Sequence, residues 1–128
     1  MISIGEINVK FLVDTAYDHR VMLIDPFTLS YQIEGADKRT FTVPAGFITD
    51  LGSSPRALWN IVAPWDIACA AIVHDYLYTK QGYTEYRLSR KEADTVMYDI
   101  IRLTKGKWMA FVCLRAVRAF GKKYFAVR

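Results

Sequence analysis

The run Ala68-Cys69-Ala70-Ala71-Ile72-Val73 leads straight into His74-Asp75-Tyr76-Leu77-Tyr78. At helical spacing its small and apolar residues cover every face, and a helix of that kind is buried. Burial makes the next two residues demanding, because an imidazole or carboxylate taken out of water needs a partner. The fold must therefore carry other polar side chains to His74 and Asp75. Two segments can supply them. One is Gly46-Phe47-Ile48-Thr49-Asp50-Leu51-Gly52-Ser53-Ser54-Pro55-Arg56, through Asp50, and the other is Ser89-Arg90-Lys91-Glu92-Ala93-Asp94, through Asp94. The chain reads as built to bring these three segments together.

The rest of the sequence sets the frame for that meeting. Alternating residues predict strands over 6–13, 29–34 and 39–43, with a short apolar strand over 21–24 and a hairpin turn at 35–38. Residues 14–20 read as a turn. Phe11, Tyr31, Ile33, Phe41 and Val43 are expected to form much of the sheet's core face. Ala45 to Ser54 reads as a loop, and Ser54-Pro55 as the cap and first residue of a short helix ending near residue 62. The buried helix then spans about 65–78, and residues 79–88, polar and aromatic around Gly82, read as an exposed loop or lid. Ser89 and Glu92 fit a capping box, opening a helix that Lys105-Gly106-Lys107 ends before a last helix over 108–120. The fold class is α+β: a small antiparallel sheet in the N-terminal third, packed by three to four helices. At 128 residues with 52% apolar content the chain makes one domain, strands in 1–44 and motif loop with helices in 45–128.

Composition removes several classes of function. The start lacks the basic and apolar regions of a signal peptide. No apolar stretch approaches the roughly 20 residues of a membrane span. Cys69 and Cys113 lie in apolar helical patterns, which suits buried reduced thiols, although one bridge between their helices is also open. Charge is unevenly placed. Eight of the seventeen basic residues follow Asp99 and no acidic residue does. The end of the chain, with Arg115, Arg118, Lys122 and Lys123, can face an anionic partner, or it can simply be a solvated helix face.

The chemistry-bearing residues allow more than one use. Imidazole and carboxylate together suit zinc or another divalent transition metal, which makes Asp50, His74 and Asp94 the candidate metal ligands. Asp75, Ser54 and Arg56 are the candidate catalytic residues: Asp75 as base or outer-shell group, Ser54 as nucleophile, Arg56 as a binder of phosphate or carboxylate. The plainer alternatives are a hydrogen-bonded structural histidine, a serine helix cap and an arginine ion pair with Asp50 or Asp75. No Gly-x-Ser-x-Gly elbow supports the nucleophile. Tyr76, Tyr78, Tyr83, Tyr86, Trp59 and Trp65 can line a cleft or fill the core.

Four ordered motifs also resemble a known family. They are Val43-Pro44-Ala45-Gly46-Phe47-Ile48-Thr49-Asp50, Ser53-Ser54-Pro55-Arg56, Ala71-Ile72-Val73-His74-Asp75-Tyr76-Leu77-Tyr78 and Lys91-Glu92-Ala93-Asp94. The chain resembles the small phage and prophage proteins grouped as domain of unknown function 1353, from about residue 41 to 121. The resemblance implies a bacteriophage or prophage origin among morphogenesis genes, in the host cytoplasm or the virion, and it supplies no established activity. Three readings compete. One is a metal-dependent hydrolase of phosphoesters or cell-wall peptide. Another is a tail-tip or baseplate component, partnered by phage structural proteins, in which the cluster is structural. The third is a host-directed module using the basic helix.

Overall fold

The structure is a computed structural model that describes residues 1–11, 21–49, 68–120, 122 and 125. Among these residues the architecture is α+β, two three-stranded antiparallel sheets followed by four helices. The first sheet joins β1 (Ile2–Ile4), β4 (Phe27–Tyr31) and β5 (Arg39–Val43) in the order β1-β4-β5. The second joins β2 (Val9–Phe11), β3 (Val21–Leu23) and β6 (Ile48–Thr49) in the order β2-β3-β6.

Register sorts the side chains of the first sheet by face. Phe27 lies opposite Val43 and Leu29 opposite Phe41, and all four are buried. The intervening pairs face outward, where the Thr28 and Thr42 hydroxyls meet at 3.0 Å and those of Ser30 and Thr40 at 2.9 Å. The two-residue period of a strand thus separates an apolar face from a hydroxyl ladder. Against expectation, β4 begins at Phe27, directly after Pro26, and stops at Tyr31. Ile33 falls past its end and is only half-buried. Proline excludes the strand from its own position but not from the next one. The expected single sheet is also divided, since β3 pairs with β2 and β6 and its Val21 and Leu23 enter the same core from a second sheet.

Helix α1 (Ala68–Leu77) is covered on several sides, as its composition requires, packing on β5 and on both of the next two helices. Residues 79–88 depart from the expected loop. Lys80–Tyr86 form helix α2, and Thr79 makes this possible. Its hydroxyl donates to the Tyr76 carbonyl at 2.6 Å and accepts the Gly82 amide at 3.0 Å, so one residue closes α1 and caps α2. Glycine is needed at position 82 for contact rather than for a turn. A Cβ there would drive into the carbonyl oxygen of Tyr76.

Helix α3 (Arg90–Lys105) starts with the expected capping box: the Ser89 hydroxyl accepts the Glu92 amide at 3.2 Å, and the Glu92 carboxylate accepts that of Ser89 at 3.1 Å. Ala93, Val96, Met97, Ile100 and Ile101 make its buried stripe. Gly106, at φ 98°, is the single residue between α3 and α4 (Lys107–Phe120), and the two helices pack along each other. Tyr31 ties sheet to helix by donating to Asp99 at 3.3 Å. Burial first, then the Asp99 charge, pushes its phenol up to about 12. Cys69 is half-buried and Cys113 buried; both are free thiols raised by burial. No described helix is long and apolar enough to cross a membrane. The expected turn at 14–20 and helix at 55–62 lie outside the described residues.

Candidate functional site

Asp94 is the centre of the site. It sits in the first turns of α3 with no exposed surface, between Ala93 and the apolar stripe of that helix. Its Oδ1 is 2.8 Å from His74 Nε2 and accepts the Tyr78 hydroxyl at 2.5 Å. Its Oδ2 accepts Arg118 Nη1 at 2.9 Å. One carboxylate therefore gathers α1, the residue just past its end, and α4. Burial alone would raise the Asp94 carboxyl. The hydrogen bonds from His74, Tyr78 and Arg118 outweigh that effect and hold it below its ordinary value. Tyr78 responds in the opposite sense, its phenol pushed far up by burial and then by the bond to the carboxylate.

Two further contacts complete the surroundings. Arg90, the first residue of α3, donates through Nη2 to the carbonyls of Val117 and Arg118 at 2.8 and 2.9 Å. A cation on the last carbonyls of a helix complements the negative end of its dipole. The Arg90 contact also fixes the stretch of α4 that carries Arg118. Its own Nε is buried with no partner among the described residues. The Tyr78 ring packs against the His74 ring at 4.2 Å, and Phe125 meets Tyr78 edge-on at 5.2 Å.

Of the residues singled out from the sequence, His74 and Asp94 are brought into direct contact. Asp75 lies beside His74 on α1, half-buried and with a partner of its own. Asp50, Ser54 and Arg56 lie outside the described residues, as do Trp59, Trp65 and Lys123. Tyr76 is buried and donates to Glu85 at 2.6 Å, and Tyr86 packs edge-on against Phe41 at 5.0 Å. These rings belong to the core and its rim. Only Tyr83 of the four tyrosines is substantially exposed.

Sequence reasoning missed Tyr78, Arg90 and Arg118 as members of the site. Tyr78 had a signal, since it stands four residues after His74 and such pairs share a helix face. Arg118 had none. Its basic neighbours describe a solvent face, and only the packing of α4 on α3 turns its guanidinium toward Asp94.

Among the described residues no group of three or more His, Cys, Asp and Glu side chains could hold a metal ion. In this arrangement His74 Nε2 and Asp94 Oδ1 satisfy each other, and Asp94 Oδ2 faces a guanidinium. His74 keeps its other ring nitrogen, which makes no hydrogen bond among the described residues. Its side chain retains 12% exposure at the edge of the cluster. A buried carboxylate behind an imidazole fixes the ring, as it does behind metal-ligating and proton-transferring histidines alike.

Against known families, the one described as Protein of unknown function (DUF1353) matches residues 26–117, which hold the sheet edge, the His74-Asp75 helix, Asp94 and most of α4. The chain belongs to this family. The DUF1353 match contains His74, Tyr78, Arg90 and Asp94, whereas Arg118 falls one residue beyond it. No curated protein and no solved structure matches the chain.

Proposed function

We propose that this DUF1353 chain is a non-enzymatic phage component, of the tail-tip or baseplate kind, in which the Asp94 network locks three helices into one rigid unit. The observation that carries the reading is the saturation of Asp94. Both oxygens of a wholly buried carboxylate are filled by protein donors, which is how a fold satisfies a structural charge. The phage setting comes from the motif resemblance and is part of the proposal. The test is the composition of purified phage particles bearing such a gene, together with elemental analysis of the isolated protein. A fixed copy number per particle and substoichiometric metal support the reading. Absence from particles overturns it.

One observation favours a second reading, a metal-dependent hydrolase. His74 stands at the cluster's edge with a carboxylate behind it. There Asp50 would join His74 as a ligand, with Asp94 as ligand or as the group that orients the imidazole, and Asp75 would serve as base. Stoichiometric zinc or another transition metal that is lost in His74→Ala and in Asp50→Ala would replace the first reading with this one.

A further inference from the structure

Helix α4 carries a stripe that the Asp94 network accounts for only at its far end, Arg118. Trp108, Phe111, Arg115 and Arg118 follow one another at spacings of three, four and three, which sets them on one face of the helix. Opposite them Ala110, Cys113 and Ala116 are buried against the core. At the near end Trp108 is 72% exposed and Phe111 50% exposed, with ring centroids 6.4 Å apart and planes inclined by 28°. Two large rings held side by side in water are an unusual use of surface. Lys105 and Lys107 flank them, Arg115 lies two turns along, and Lys122 is exposed past the helix end. No acidic side chain follows Asp99 anywhere in the sequence.

We propose that this stripe is a binding track for single-stranded nucleic acid, with unpaired bases stacking on Trp108 and Phe111 and the phosphates drawn to Arg115 and Lys122. Aromatic faces in line with cations are what sequence-tolerant single-strand binding uses. Charge complementarity selects this occupant over two others. A helix lying on a membrane keeps its cations beside or opposite the apolar face, but here Arg115 and Arg118 share the face of the rings. A second copy of the chain meeting this face would bring a like-charged surface against it. Arg118 contributes mainly from within, since its Nη1 is held by Asp94. Arg115 and Lys122 are the cations left to the ligand.

The experiment uses the whole chain and three probes: a fluorescein-labelled 20-mer of oligothymidylate, a blunt 20-base-pair duplex, and phosphatidylcholine vesicles with and without phosphatidylserine. The expected order is single strand above duplex, because rings need unpaired bases. Trp108→Ala and Phe111→Ala should each weaken oligothymidylate binding roughly five- to hundredfold. With two phosphate contacts, raising salt from about 50 to 200 mM weakens binding about sevenfold, and Arg115→Gln reduces that factor to about threefold. Any of four results overturns the proposal. They are equal binding by the Trp108→Ala/Phe111→Ala double variant, duplex bound as tightly as single strand, binding confined to phosphatidylserine vesicles, or self-association abolished by the double variant in a chain that ignores the oligonucleotide. All the substituted residues are exposed, so circular dichroism of each variant separates loss of binding from loss of fold.

Discussion

Replacing Asp94 by alanine should cost about 3–5 kcal/mol, the range for removing one partner from a buried charged network. Three donors converge on the carboxylate, at 2.8, 2.5 and 2.9 Å, and each hydrogen bond to a charged group carries about 1.5–3 kcal/mol when measured singly. They share one acceptor and will not add. After truncation the Arg118 guanidinium, 41% exposed, can turn to water, while His74 and Tyr78 are left facing a cavity. The loss should therefore exceed that of removing any single donor: about 1.5–3 kcal/mol for His74→Ala, and about 1 kcal/mol for Arg118→Met, because that guanidinium is partly solvated. Urea unfolding followed by circular dichroism measures all three. For a chain of this size the Asp94→Ala loss corresponds to a melting temperature lower by roughly 10–20 °C. An Asp94→Ala variant within 1 kcal/mol of the unaltered protein, or one no worse than Arg118→Met, would refute the idea that this carboxylate holds the helices together.

Four further outcomes are expected. The Asp94 carboxyl is held below its ordinary value of 3.8, so its contribution is complete above that value and is shed as pH falls through the lower folded value; the urea-midpoint gap between the unaltered protein and Asp94→Asn should be wide at pH 6 and narrow toward pH 2. Gly82→Ala, which in an open helix would gain nearly 1 kcal/mol, should instead lose about 1–3 kcal/mol because its Cβ meets the Tyr76 carbonyl and the Leu77 backbone, as thermal melts will show. Tyr86→Phe should lose about 1–2 kcal/mol in urea, since the phenol accepts the Thr42 amide at 2.7 Å and donates to the Thr42 carbonyl at 3.3 Å, satisfying both groups on the outer edge of β5. Ser89→Ala should cost about 1 kcal/mol by removing the cap of α3, and amide exchange should rise in the first turn of that helix before any other part changes.

The sequence disclosed most where local chemistry and tertiary environment agree. Ser89 and Glu92 announce the start of α3 because the capping box is closed within four residues. The all-round apolarity before His74 announces a buried helix because no solvent-facing stripe exists. The meeting of His74 with Asp94 could be anticipated from need, since each was a polar group on a segment bound for the interior. What escaped depended on contacts between distant segments. Helix α2 was hidden because Gly82 reads as a breaker in isolation, and only the close approach of the Tyr76 carbonyl turns it into a requirement. β1 was hidden because three residues are too short for a period, and its register against residues 29–31 comes from β4. Arg118 was hidden because a long basic side chain looks the same in sequence whether it ends in solvent or on a buried carboxylate.

The joints between the helices leave the chain little slack. Thr79 serves two helices at once and Gly106 alone separates α3 from α4. One residue added at either joint would turn everything downstream by about 100° about its axis. At Gly106 that turn would carry Arg118 off Asp94 and set Val117 in its place. The hairpin at residues 34–38 is exposed, and Gly35 and Ala36 lie clear of the core, so extra residues there need only lengthen a loop. Related chains should therefore vary in length between β4 and β5 and keep a constant count from His74 to Arg118.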